Sequence, residues 1–251
     1  MPAGNFYAFT YDLGFERMEK LIRGIHKFQS DIFRSKESLF QRLVDGQNPQ
    51  ALFITCSDSR VVPDMITQTD PGDLFVIRNA GNLVPPYSPG GPATGEAATI
   101  EYAIRGLGIK DIIICGHTRC GAMKAVMNPE DSREMPRVRQ WLGYAEASYE
   151  IIVTQYSHLA PEARWKVMAQ ENVLVQLENL RTHPAVAVGL AQGELTLHAW
   201  VYKIETGEVF AYDNESYQYV PLVRLDGSTP MQSSLIHTGP RRLHPVPNFA
   251  I

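Results

Sequence analysis

Two short runs, ALFIT at 51–55 and DIIIC at 111–115, constrain the fold more than any other feature of the sequence. Both are almost wholly apolar and rich in β-branched or aromatic residues, without the alternation of a strand that has one wet face. Such runs suit strands buried on both sides, and that burial goes with a parallel sheet covered by helices. LFVI at 74–77 reads as a further strand. Helical spacing of apolar residues marks 16–33, 38–44, 95–106, 138–156 and 161–180, and another helix is expected after Gly116. Leu195 to Lys203 and Glu208 to Tyr212 form a predicted antiparallel hairpin about Thr206-Gly207. The fold class expected is α/β: one domain with a central, mostly parallel β-sheet flanked by helices. It comprises a helical N-terminal arm (1–45), a core (46–217) that ends in the hairpin, and an irregular, proline-rich tail (218–251).

A chain of 251 residues, 44% hydrophobic and 20% charged, is long enough to bury one large core. Its net charge of -4 comes with no dense block of Lys or Arg, which argues against nucleic acid or an anionic membrane as partner. No apolar run approaches the roughly 20 residues of a membrane span. The first residues lack the pattern of a secretory signal, so a cytoplasmic protein is expected. Three cysteines, Cys56, Cys115 and Cys120, are too few for a disulfide scaffold.

In an open parallel sheet, ligands bind beyond the carboxyl ends of the strands. Cys56 stands at one such end, and the segment from Cys115 to Cys120 at another. If these strands are neighbours their tips lie about 5 Å apart, close enough for Cys56, His117 and Cys120 to converge on one ion. His117 to Cys120 is expected to open a helix. Each residue alone has an ordinary reading, a packed cysteine or a hydrogen-bonded core histidine. Together, two thiolates and an imidazole suit zinc rather than magnesium or calcium, with the fourth position left open as in catalytic sites. Cys115, inside the apolar run, reads as an inert buried thiol.

Asp58 and Arg60 follow Cys56 directly. Two thiolates cancel the charge of Zn²⁺ and weaken its acidification of water, so a neighbouring base matters. Asp58 is placed to accept the proton of a zinc-bound hydroxide and so aim an oxygen lone pair at an electrophile. Arg60 would hold that carboxylate by a two-pronged ion pair. The plainer alternative is a Ser-Asp-Ser helix cap beside a surface arginine.

CSDSR at 56–60 and GHTRCG at 116–121 resemble the motifs of the beta-class carbonic anhydrases. PGDLFVIRNAGN at 71–82, IEYAI at 100–104 and LTLHAWVYKIETGEVFAYD at 195–213 resemble the same family, in its plant-like branch of bacterial and cyanobacterial members. The resemblance spans about residues 17–213 and implies zinc-dependent, reversible hydration of CO2 to bicarbonate and a proton, with one zinc per chain. It matches Cys56, His117 and Cys120 to the zinc ligands and Asp58 and Arg60 to the catalytic dyad. Gln47 matches the substrate-binding glutamine, and Phe75, Ala80 and Tyr102 the apolar pocket wall. From spacing alone these last three read as core packing.

Phe53 stands where the other branch carries the tryptophan of a bicarbonate clamp, so the form in which the aspartate stays off zinc is expected. Gly106 occupies the place of a histidine proton shuttle in plant members. The family's glutamine and tyrosine come from a partner subunit, which implies a homodimer, or a dimer of dimers, clasped by the N-terminal helix. The tail from about Gln218 matches nothing in the family core. It is expected to serve oligomerisation, recruitment into a carboxysome-like assembly, or a strap across the dimer. Two other readings stay open at this point: hydrolysis of carbon disulfide or carbonyl sulfide at the same site, and a zinc-stabilised scaffold without catalysis.

Overall fold

A computed structural model describes residues 8–222, with side chains from residue 18 onward. The chain divides into two units, 1–47 and 48–251. In the first, α1 (Ala8–Lys27) passes through a π-helical turn, Phe28–Ile32, into the short α2 (Phe33–Ser35), and α3 (Glu37–Leu43) follows. Stacked and edge-on contacts among Phe28, Phe33 and Phe40 tie α3 back to the helix before it. The apolar spacing that predicts the long helix leaves Met18, Leu21, Ile22, Ile25 and Ile32 between 45% and 60% exposed.

The second unit is built on a six-stranded sheet of β1 (Ala51–Cys56), β2 (Leu74–Asn79), β3 (Asp111–His117), β4 (Thr196–Tyr202), β5 (Val209–Asp213) and β6 (Gln218–Pro221). Their order is β2-β1-β3-β4-β5-β6; the first four run parallel and the last two antiparallel. Every residue of β1 is buried, as its unbroken apolar run requires. The chain passes from β1 to β2 on one side and then crosses to β3 on the other. Strand order therefore reverses between β1 and β3, the place where open α/β sheets bind ligands.

One face of the sheet packs Leu52, Ile54, Ile112, Ile114 and Val201 against α5 (Gly95–Glu101), α9 (Pro161–Arg181) and α10 (Pro184–Ala191). The middle of α9 buries polar side chains as well as apolar ones, and two of them reach the loop after β2. Gln176 Oε1 accepts from the Val84 amide, and Asn172 Nδ2 donates to the Gly81 carbonyl. Buried amides that satisfy a loop's backbone groups fix that loop against the helix.

Several elements depart from the sequence pattern. The helix expected over 95–106 is α-helical only to Glu101, and Tyr102–Gly106 forms a π-helical turn. A Cβ on Gly106 would stand 2.6 Å from the Tyr102 ring, so the wide turn and the glycine together let that ring fold back along the helix. The stretch 138–156 is two helices, α7 (Pro136–Leu142) and α8 (Glu146–Gln155), separated by a tight turn at Gly143–Ala145. His117 does not open a helix: it is the last residue of β3, and Cys120 precedes α6 (Gly121–Met127). Gln218–Pro221 is not irregular, because its backbone pairs with β5 in the register Tyr212 to Tyr219. The rest of the expected tail, 223–251, lies outside the described residues. Among the described residues no helix is long and apolar enough to cross a membrane.

Candidate metal centre

The parallel pairing of β1 with β3 sets Thr55 opposite Cys115, so Cys56 and the end of β3 stand side by side at the sheet's carboxyl edge. Beyond that edge the ligand atoms of Cys56, His117 and Cys120 all lie within 4.8 Å of one another, and all three residues are buried. The two sulfurs are 3.9 Å apart. Two zinc–sulfur bonds of about 2.3 Å at a tetrahedral angle span about 3.8 Å, so the sulfur–sulfur spacing fits one zinc ion.

His117 supplies an independent indication. Its Nδ1 is 2.8 Å from the Thr118 carbonyl, which fixes Nδ1 as the protonated nitrogen. That leaves Nε2 as the lone-pair nitrogen, buried and without a hydrogen-bond partner. A buried imidazole nitrogen without a hydrogen-bond partner, beside two cysteine sulfurs, suits a metal ligand. The thiols are themselves coupled. Their contact lowers the Cys56 thiol against the opposing effect of burial, while that same contact first, and burial next, push the Cys120 thiol up. A metal cation bound there would take both sulfurs as thiolates, with release of their protons. The Gly81 amide also points at Cys56 Sγ, at 3.4 Å. Cys115, fully buried one residue before Gly116, is pushed up to about 12 by burial and takes no part.

Asp58 stands beside this group and not within it, with Oδ2 3.8 Å from His117 Nε2. Arg60 grips the carboxylate with both arms: Nε donates to Oδ1 at 2.9 Å and Nη2 to Oδ2 at 2.7 Å. The Arg60 amide adds a third bond to Oδ1 at 3.0 Å. This grip holds the Asp58 carboxyl well below the usual carboxylate range and raises the Arg60 guanidinium. Arg78 on β2 secures the backbone on the same side, donating to the carbonyls of Cys56 and Asp58 at 3.2 and 2.8 Å. The indoles of Trp141 and Trp165 do likewise for the carbonyls of Ala80 and Cys120. Arg78 lies within the PGDLFVIRNAGN stretch, whereas the two tryptophans carry no motif, and their apolar setting is the one hint that their N–H groups need a partner.

Of the matched pocket residues, Phe75 and Tyr102 lie away from the metal group within the second unit. Phe75 pairs with Leu52, four places before Cys56, which puts it about 13 Å back along the sheet from the level of the metal group. Its ring centroid is 6.0 Å from that of Tyr102, which is itself half exposed. Ala80 lies in the loop after β2, next to Gly81, and is exposed; Gln47 closes the first unit and is exposed as well. Within the second unit the fold brings Cys56, Asp58, Arg60, His117 and Cys120 together.

A family model described as carbonic anhydrase matches residues 51–209. The chain is 47% identical over 215 residues to a carbonic anhydrase of Synechocystis sp., covering 85% of this chain and 78% of that protein. It is 46% identical over 221 residues to a carbonic anhydrase of Pseudomonas aeruginosa, covering 86% and 99%. Among solved structures, a beta-carbonic anhydrase superposes with a TM-score of 0.80 at 46% identity, over 84% of this chain and 94% of that one.

Proposed function

Because the chain belongs to the carbonic anhydrase family, as one of its beta-class members, we propose that Cys56, His117 and Cys120 hold a catalytic zinc ion, with Asp58 and Arg60 as the dyad beside it. The reaction is the reversible hydration of CO2 to bicarbonate and a proton. Bound zinc would supply a Lewis acid that makes water nucleophilic near neutral pH. The protein's own part is orientation. Asp58 Oδ2, kept ionised by Arg60, accepts a hydrogen bond from the attacking water and turns an oxygen lone pair towards the CO2 carbon. Arg60 keeps the carboxylate from rotating, and the Nδ1 bond to the Thr118 carbonyl keeps His117 in the tautomer that presents Nε2. The observation that carries this reading is the buried, unpartnered Nε2 facing two thiols 3.9 Å apart. The relatives described above are all named carbonic anhydrases, which favours CO2 over the sulfur gases and catalysis over a scaffold.

The working form in this proposal is a homodimer or a dimer of dimers. Phe75 and Tyr102 stand too far back to wall the metal group of their own chain, and the exposed apolar stripe of α1 offers a second copy a surface to cover. In such a dimer Gln47, Phe75, Ala80 and Tyr102 would bind substrate, Gln47 through its amide and the others as an apolar wall. A cytoplasmic location, and a role for residues 218–251 in a larger assembly, belong to the same proposal. Stopped-flow CO2 hydration measured beside zinc content tests it. About one zinc per chain with rapid hydration supports the reading; full zinc without hydration overturns it.

A further inference from the structure

Glu205 is far from the metal group in sequence, in the connection between β4 and β5, yet both its carboxylate oxygens are engaged by the loop between His117 and Cys120. Oε2 accepts from Thr118 Oγ1 at 2.5 Å, and Oε1 accepts from Arg119 Nε at 2.8 Å. Thr118 is tied to the same connection twice more. Its amide donates to the Tyr202 carbonyl at 3.0 Å, and its hydroxyl oxygen accepts from the Ile204 amide at 3.0 Å. The loop needs such anchorage, because Arg119 lies in the left-handed region at φ 54°, a conformation that costs a non-glycine residue free energy and persists only where its surroundings impose it.

What the loop carries shows what the anchorage achieves. The Thr118 carbonyl is the partner of His117 Nδ1. The Arg119 carbonyl accepts from Arg60 Nη2 at 3.2 Å, and that same nitrogen donates to Asp58 Oδ2. One carboxylate in a hairpin is therefore joined, through two neighbouring peptide units, both to the metal-binding imidazole and to the dyad across from it. Hydrogen bonding by Thr118, reinforced by Arg119, holds the Glu205 carboxyl below its ordinary range, so it remains the ionised acceptor this arrangement needs.

We propose that Glu205 is a positioning residue for CO2 hydration: through Thr118 and Arg119 it fixes the 117–120 loop and so keeps His117 Nε2 and the Arg60–Asp58 pair in register across the site. This inference rests on the zinc-dependent reading above.

The test uses the zinc-loaded full chain and the variants Glu205→Gln, Thr118→Val and Thr118→Ser, with kcat and KM from stopped flow and zinc loss timed against a chelator. Loss of a group that orients a metal ligand costs about 10- to 100-fold in affinity or activity. Glu205→Gln and Thr118→Val are each expected to lower kcat at least tenfold with KM little changed, and to release zinc at least tenfold faster. Thr118→Ser, which keeps the hydroxyl, should match wild type. Because the proposed route runs through Arg60, combining Glu205→Gln with Arg60→Lys should cost less than the product of the separate effects. Wild-type kcat and zinc retention in Glu205→Gln would overturn the proposal, as would effects that multiply fully with Arg60→Lys. If Glu205→Gln does not fold, equal behaviour of Thr118→Val and Thr118→Ser overturns it, and the expected contrast between them supports it. A wild-type chain without zinc or hydration would overturn the underlying reading instead.

Discussion

Gly116 sits on β3 immediately before His117, and α9 passes so close that a Cβ there would lie 2.7 Å from Val173 Cγ2 and 3.2 Å from the Ala169 carbonyl oxygen. Its backbone is outside the left-handed region, so the cost of Gly116→Ala is purely steric. Val173 is fully buried and the carbonyl belongs to a long helix, so neither can retreat far. Overpacking of this kind costs about 1–3 kcal/mol. At roughly 2–4 °C per kcal/mol for a chain of this size, Tm should fall by about 2–12 °C. Val173→Ala alone removes two buried carbons, worth about 1.6 kcal/mol before any cavity term. It also removes the closer of the two clashes, so the double variant should be more stable than the sum of the single losses by about 1 kcal/mol. Unfolding by urea and by heat, at fixed protein concentration and saturating zinc, would read all four proteins on one scale. Strict additivity, or an unchanged Tm in Gly116→Ala, would refute the claim that β3 and α9 meet at this glycine.

Other consequences follow from the same structure. Asp58→Ala should lower kcat by about 100-fold or more while zinc content stays at one per chain; unchanged turnover would remove Asp58 from the mechanism. Placing a charge in the exposed stripe of α1, as in Ile22→Asp with Ile25→Asp, should shift the protein towards monomer in sedimentation velocity and lower activity with it. Asp213 accepts from the Ser216 hydroxyl and amide, which lowers its pKa, so its contribution to stability is present above about pH 4 and is lost as pH falls through the folded-state value. Ser216→Ala should therefore raise the Asp213 carboxyl in an NMR titration and reduce stability at neutral pH more than at pH 2.

Much of this molecule can be read from its sequence, for reasons specific to each part. The runs at 51–55 and 111–115 have no polar interruption, and only a strand covered on both faces accommodates that; the structure pairs them as neighbours. The metal group is legible because cysteine and histidine at strand ends have few alternative uses in a chain with three cysteines. The turn at 117–120 was not legible as a turn, because Arg119 adopts a left-handed backbone that nothing in its residue type announces. Nor could spacing show that Gln170, Glu171, Asn172 and Gln176 are buried on α9, since polar residues in a helix ordinarily mark its wet face. Glu205 reads as a surface charge in a hairpin until its two oxygens are seen against Thr118 and Arg119.

The proposed chemistry requires one zinc ion across the tips of β1 and β3, with Asp58 beside it and off the metal. A crystal structure of the zinc-loaded protein near pH 8, with an anomalous difference map at the zinc edge, tests this most directly. One peak per chain is expected within about 2.0–2.3 Å of Cys56 Sγ, His117 Nε2 and Cys120 Sγ. Both oxygens of Asp58 should remain on Arg60. A peak elsewhere, or Asp58 as the fourth ligand with its bonds to Arg60 broken, would contradict it.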